Sequence, residues 1–223
     1  MENLPLFLSI VFGLTTLLTV LFFYKAANSS RIVLLLLLGW LLLHGVISVS
    51  GFYTVTNNMP PRLALAVTPM FIGIALLFIT ANGKVFIDKL DAKTLTFLHV
   101  IRIPVELVLF GLFLEGKIPE FMTFEGRNFD IIAGITAPFV WYFGFVKNKL
   151  SPKIILIWNF ICLGLLLNIV INAILSAPFP IQQFAFDQPN IAVLYFPFVW
   201  LPGCVVPLVF LSHLVVIRRL IRN

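Results

Sequence analysis

The chain has 223 residues, 61% of them apolar and 11% charged, with a mean hydropathy of +1.08 and a formal charge of +6. Soluble domains carry about a quarter of their residues charged, and 24 Phe among long Leu, Ile and Val runs would leave large apolar patches on a water-solvated fold. The composition therefore excludes an ordinary soluble enzyme or nucleic-acid-binding domain and predicts a single all-α transmembrane domain over residues 1–223.

Seven stretches are each apolar over the length a bilayer requires. The first, Leu4–Tyr24, follows an acidic start (Met1, Glu2, Asn3) and is too long for the apolar region of a signal peptide, so it reads as an uncleaved anchor. The next are Ile32–Phe52, Leu63–Thr80, Thr96–Leu114, Phe129–Val146, Ile154–Ser176 and Ile191–Ile217. The last is the least regular, because the aromatic stretch Phe179–Phe198 suits the membrane interface. Pro69, Pro104, Pro138, Pro197, Pro202 and Pro207 fall inside these spans. Each removes a helical hydrogen bond and leaves a carbonyl to be satisfied by another group.

Basic residues alternate between the connections. Lys25, Arg31, Lys84, Lys89, Lys93, Lys147, Lys149, Lys153, Arg218, Arg219 and Arg222 lie on one set, while only Arg62, Lys117 and Arg127 lie on the other. Basic loops stay cytoplasmic, so the pattern predicts a seven-helix bundle of the cell membrane, amino terminus outside and carboxyl terminus inside. The positive charge is explained by insertion and by contact of the Arg218–Arg222 tail with anionic lipid. The lipid bilayer is the expected partner, and no nucleic acid is implied.

Cys162 and Cys204 lie within spans and read as buried apolar residues. No CxxC, HExxH or zinc-finger spacing occurs. The last span lacks the Schiff-base lysine of rhodopsin-like proteins, and the chain has neither the acid-Arg-Tyr nor the NPxxY signature of G-protein-coupled receptors. Nor does it supply the three-His-plus-Asp zinc set of alkaline ceramidases at matching depth. No family is identified from these motifs.

The fourth span holds the polar chemistry. His99, Arg102 and Glu106 are spaced by three and four, which places them on one helical stripe facing other helices. Arg102 and Glu106 at i,i+4 suit an intrahelical pair, although Arg on the amino-terminal side is the weaker order. Depth along the spans groups His44, Glu106 and Asn168 near the centre, and His99, Arg102, Asn159 and His213 nearer the cytoplasm. Asn168 and Asn172 share a face. Ala133 and Ala137 allow close packing near Pro138. The outer loop Glu115–Asp130 reads as an amphipathic piece on the headgroups, or else as a lid over a cavity with Pro178–Asn190 as its opposite lip.

Three functional classes fit. A transporter- or sensor-like protein would bind a small molecule, ion or proton through His99, Arg102, Glu106, His44, Asn168 and His213. In it Arg102 would favour an anionic group and Glu106 would carry a proton, and a sensor would need a protein partner for its output. A membrane-embedded haem, metal protein or intramembrane enzyme would use His99 and His213 as ligands at matching depth. A structural or assembly protein would use the stripe for packing alone. The sequence names no cofactor, metal site or catalytic residue.

Overall fold

The computed structural model describes residues 4–222. It is all-α, 74% helical, with no strand among the described residues. The helices are α1 (Leu6–Ala26), α2 (Arg31–Val49), α3 (Ala64–Ile79), α4 (Ala81–Lys89), α5 (Ala92–Leu98), α6 (Arg102–Leu114), α7 (Ile131–Val140), α8 (Pro152–Ser176) and α9 (Val206–Arg222). Five continuous helical stretches are long and apolar enough to cross a membrane: α1, α2, α5 with α6, α8, and Leu201–Arg222. A sixth arises if α3 and α4 count as one span bent by 95°. Leu35, Leu36 and Leu42 on α2 are 68%, 69% and 69% exposed, an apolar exterior compatible with a membrane protein.

The expected fifth span, Phe129–Val146, is a shorter apolar helix, Ile131–Val146. The expected last span does not begin at Ile191. Residues 177–199 run as turns and irregular backbone with one 3₁₀ turn, Ala192–Leu194, and the long continuous helix is Leu201–Arg222.

Prolines explain most of the irregular backbone. Pro138 is followed by a π-helical segment, Trp141–Val146, and Leu201–Val205 is a second such segment just before Pro207. Pro207 offers no N–H to the carbonyl four residues back, that of Gly203. Trp40 Nε1 donates to that carbonyl at 2.8 Å, and Trp200 Nε1 donates to Leu41 O at 2.9 Å. The two indole bonds fasten the peripheral α2 to the root of α9. The turn from α3 into α4 has another cause. Thr80 Oγ1 caps α4 by accepting from Gly83 N at 3.1 Å, and a side chain at Gly83 would strike the backbone of Leu77.

α9 is the central element. Leu201–Arg222 is 61% buried, against 28% for both α2 and α8. It packs on α8, α5 and α3, while α1 packs on α5 and α6. At one end of the bundle, Asp91 N donates to Ala26 O at 2.8 Å and Lys93 lies over the Trp141 ring. Arg218, Arg219 and Arg222 from the end of α9 donate to the Asp88 carboxylate and to the carbonyls of Asp88 and Leu90 there. The opposite end carries residues 115–130 and 177–200, joined where Ile191 N donates to Lys117 O at 3.1 Å.

Candidate functional site

Span four is not one regular helix. His99–Ile101 forms a 3₁₀ turn between α5 and α6. Pro104, four residues after Val100, cannot donate to that carbonyl, and its ring crowds the turn before it. The span begins at Ala92 rather than Thr96, which brings Arg102 to its middle.

Arg102 is 2% exposed and points into the bundle. Its Nη1 donates to Asp130 Oδ1 at 2.7 Å and to the Cys162 carbonyl at 3.3 Å. Its Nη2 lies 2.9 Å from His213 Nε2. A guanidinium can only donate, so His213 Nε2 accepts, and the imidazole is neutral with its proton on Nδ1. That nitrogen donates to Asn159 Oδ1 at 2.8 Å, and Asn159 Nδ2 donates to Ile155 O at 2.9 Å. His99, fully buried, stacks on His213 with ring centroids 3.9 Å apart and planes 16° from parallel. Both nitrogens of His99 and the Nε of Arg102 lack a partner among the described residues.

The intrahelical Arg102–Glu106 pair is not formed, because a better acceptor arrives from elsewhere in the chain. Asp130 sits at the start of α7, four residues before Gly134. A Cβ at Gly134 would come within 2.9 Å of Ile103 Cγ1 and 3.2 Å of Arg102 Cβ. This contact, with the fully buried Ala133 and Ala137, lets α7 approach α6 closely enough for the carboxylate to reach. In this low-dielectric setting, removing one partner of such a pair costs about 3–5 kcal/mol.

Nor does the loop between them simply rest on headgroups. Met122, Thr123, Asn128 and Asp130 are buried, while Glu115, Glu125, Arg127 and Phe129 stay exposed. The loop dips inward because Asn128 has three partners to satisfy. Its Nδ2 donates to Glu106 Oε2 at 2.6 Å and to Met122 O at 3.0 Å, and its Oδ1 accepts from Asp130 N at 3.0 Å. One three-residue turn therefore orients both buried carboxylates.

Beside this turn lies a cavity of about 140 Å³. Its walls are Leu63, Val67 and Phe71 at α3, Val105 and Leu109 of α6, Leu166, Ile169, Val170, Ala173 and Ile174 of α8, and Leu201, Pro202 and Val206 at the start of α9. Met122, Ala177, Phe179 and Val193 complete the apolar lining. Its polar groups are Glu106, Asp130 and Asn190. Phe71 and Val170 are half-buried and Ile174 is exposed, so the space reaches the apolar outside of the bundle between α3 and α8.

The remaining residues expected at a site lie apart. His44 Nδ1 bonds the Tyr53 hydroxyl beside Trp40, and Asn168 is exposed with its amide on Arg127 O at 3.1 Å. Neither reaches Glu106. His99, Arg102, Asn159 and His213 do come together, but Arg102 is committed to protein partners and does not line the cavity. The His99–His213 stack also does not suit haem. Axial imidazoles point their nitrogens at an iron from opposite faces of a plane, whereas these rings lie face to face, with both His213 nitrogens already bonded. Among the described residues no three His, Cys, Asp or Glu gather as a metal-ion site. Asn128 and Asn190 carry no distinguishing signal in the sequence, and Asp130 stands there only as the end of the charged outer loop.

No curated protein and no solved structure matches the chain. Residues 60–221, well over half of its length and including every element around the cavity, match a family described as a domain of unknown function, DUF8737; the chain belongs to that family.

Proposed function

We propose that this is a seven-span membrane protein, amino terminus outside and carboxyl terminus cytoplasmic, whose cavity binds a small ligand in the manner of a transporter or sensor. The topology is supported by the grouping of the basic turns. The α1–α2 turn, the α4–α5 junction and the end of α9 are hydrogen-bonded to one another at one end of the bundle, with Lys93 reaching toward the α7–α8 connection. Seven passes follow if α3 with α4 crosses as one bent span and the shorter Ile131–Val146 stretch crosses a locally thinned layer.

The observation that carries ligand binding is an apolar cavity bordered by two buried carboxylates. A cavity near 150 Å³ lined by aliphatic and aromatic side chains accepts a guest of about benzene size. This one therefore suits a body of roughly six to eight non-hydrogen atoms, with a polar head toward Glu106. The apolar, partly open gap between α3 and α8 favours entry from the lipid side.

A melting-temperature assay of the purified protein in maltoside detergent tests this. Hexylammonium, 1-hexanol and hexanoate are added in turn to the wild type and to Ala173→Phe, which fills the cavity from α8. At least one amphiphile should raise the wild-type melting temperature by several degrees and leave the variant unmoved. Identical responses in the two proteins would remove the cavity as the binding site.

A further inference from the structure

The charge inventory around the cavity is unbalanced. The buried charged residues are one guanidinium, Arg102, and two carboxylates, Asp130 and Glu106. Arg102 and Asp130 are paired at 2.7 Å. His213 is neutral, since it accepts from Arg102, and His99 has no acceptor for either nitrogen that an imidazolium would need. Glu106 is thus the unmatched group. An isolated carboxylate in such a place takes up a proton or acquires a cation.

Three side-chain oxygens of the cavity-lining residues are left without a donor among the described residues. Asn128 occupies Glu106 Oε2 and Arg102 occupies Asp130 Oδ1. Among the described residues no donor reaches the other oxygen of either carboxylate. Asn190, fully buried and lining the same cavity, gives its amide nitrogen to Ala173 O at 3.3 Å and has no donor for Oδ1. A hydroxyl would offer one proton to these three oxygens, while a primary ammonium offers three and also supplies the missing charge. A bare ion would leave the apolar part of the cavity unfilled.

We propose that the cavity takes a short-chain primary ammonium ion in exchange for the proton of Glu106. The guest's head meets Glu106, Asp130 and Asn190, its alkyl or aryl body fills the space between α3 and α8, and the carboxyl proton of Glu106 leaves to solvent. The charged groups nearest Glu106 are Arg102 on its own helix and Asp130 at the end of the inward loop, which are paired with each other; His213 on α9 and Cys162 on α8 meet Arg102 rather than Glu106, and His99 on the 3₁₀ turn stacks on His213. α3 contributes only apolar walls. This inference rests on the cavity-binding reading above and deepens it.

The test uses the full chain in maltoside detergent and hexylammonium chloride, with 1-hexanol as the neutral analogue of equal length. An alkylammonium keeps its charge below about pH 9, as a lysine side chain does. Exchange of one proton predicts that its affinity rises about tenfold per pH unit across the range in which free Glu106 is protonated, and that about one proton appears per site in weakly buffered solution. Hexanol should bind more weakly, with neither effect. In Glu106→Gln both the pH dependence and the proton release should vanish. The wild-type pH dependence decides the matter even if that variant is unstable. Hexylammonium binding that is independent of pH, or matched by hexanol, overturns the exchange while leaving the cavity as a binding site. No binding of hexylammonium, hexanol or hexanoate overturns both.

Discussion

Arg102 and Glu106 stand one helical turn apart and behave oppositely. Arg102 has used its Nη groups on Asp130, His213 and the Cys162 carbonyl, so its charge holds helices together. Glu106 is held at one oxygen by Asn128 and borders the cavity with the rest. Substitutions should separate the two. Asp130→Ala leaves a buried guanidinium without its counter-charge and should cost about 3–5 kcal/mol. Glu106→Gln should change stability by less than about 1 kcal/mol, because the amide oxygen still accepts from Asn128. Reversible unfolding in mixed detergent measures both; equal losses for the two variants would place Glu106 with the packing residues. Of this site, His99, Arg102, Glu106 and His213 were legible in the sequence, since polar side chains inside an apolar run must find company. Asn128, Asp130 and Asn190 were not. A loop reading Arg-Asn-Phe-Asp resembles any solvated turn until an acceptor and a guanidinium are found beneath it.

At the scale of elements, the all-α class and the presence of several apolar helices long enough to span followed from hydropathy, while their interruptions depended on tertiary partners. Pro104, Pro138 and Pro207 announced broken backbone, but which group meets each orphaned carbonyl depends on the neighbouring helix. For Gly203 it is Trp40, some 160 residues earlier in the chain. A double-mutant cycle examines that link. Trp40→Phe alone should cost roughly 1–2 kcal/mol by leaving the carbonyl bare. In a Pro207→Ala background the new N–H competes for the same carbonyl, and the cost should shrink to a few tenths. Additive losses would show that the indole bond and the proline are unrelated. The fifth and seventh spans were expected longer than they are for the same reason: residues 115–130 and 177–200 satisfy their polar groups on each other, as Ile191 does on Lys117 O, rather than by extending helix.

For the molecule as a whole, the proposed orientation rests on charge distribution, and the basic connections share one end of the bundle. Asp88 gathers Arg218 and Arg222 while Asn28 reaches Lys89 O, so the basic connections form a single rim. Single-cysteine labelling checks the direction, since Cys162 and Cys204 are both buried. In intact cells a membrane-impermeant maleimide should modify Glu125→Cys on the inward-dipping loop's exposed crest and spare Lys149→Cys between α7 and α8. The reverse pattern would invert the topology and place the loop inside.

The turn from Asn128 to Asp130 has a consequence beyond holding two acids in place. It belongs to a surface segment, yet one of its side chains grips Glu106 at the chamber's edge and another neutralises the guanidinium that ties α6, α8 and α9 together. A guest of the proposed kind that draws Glu106 away from the amide would act on the same three residues that clasp the scaffold. If the cavity is filled in that way, its occupancy and the shape of this surface segment become mechanically one variable.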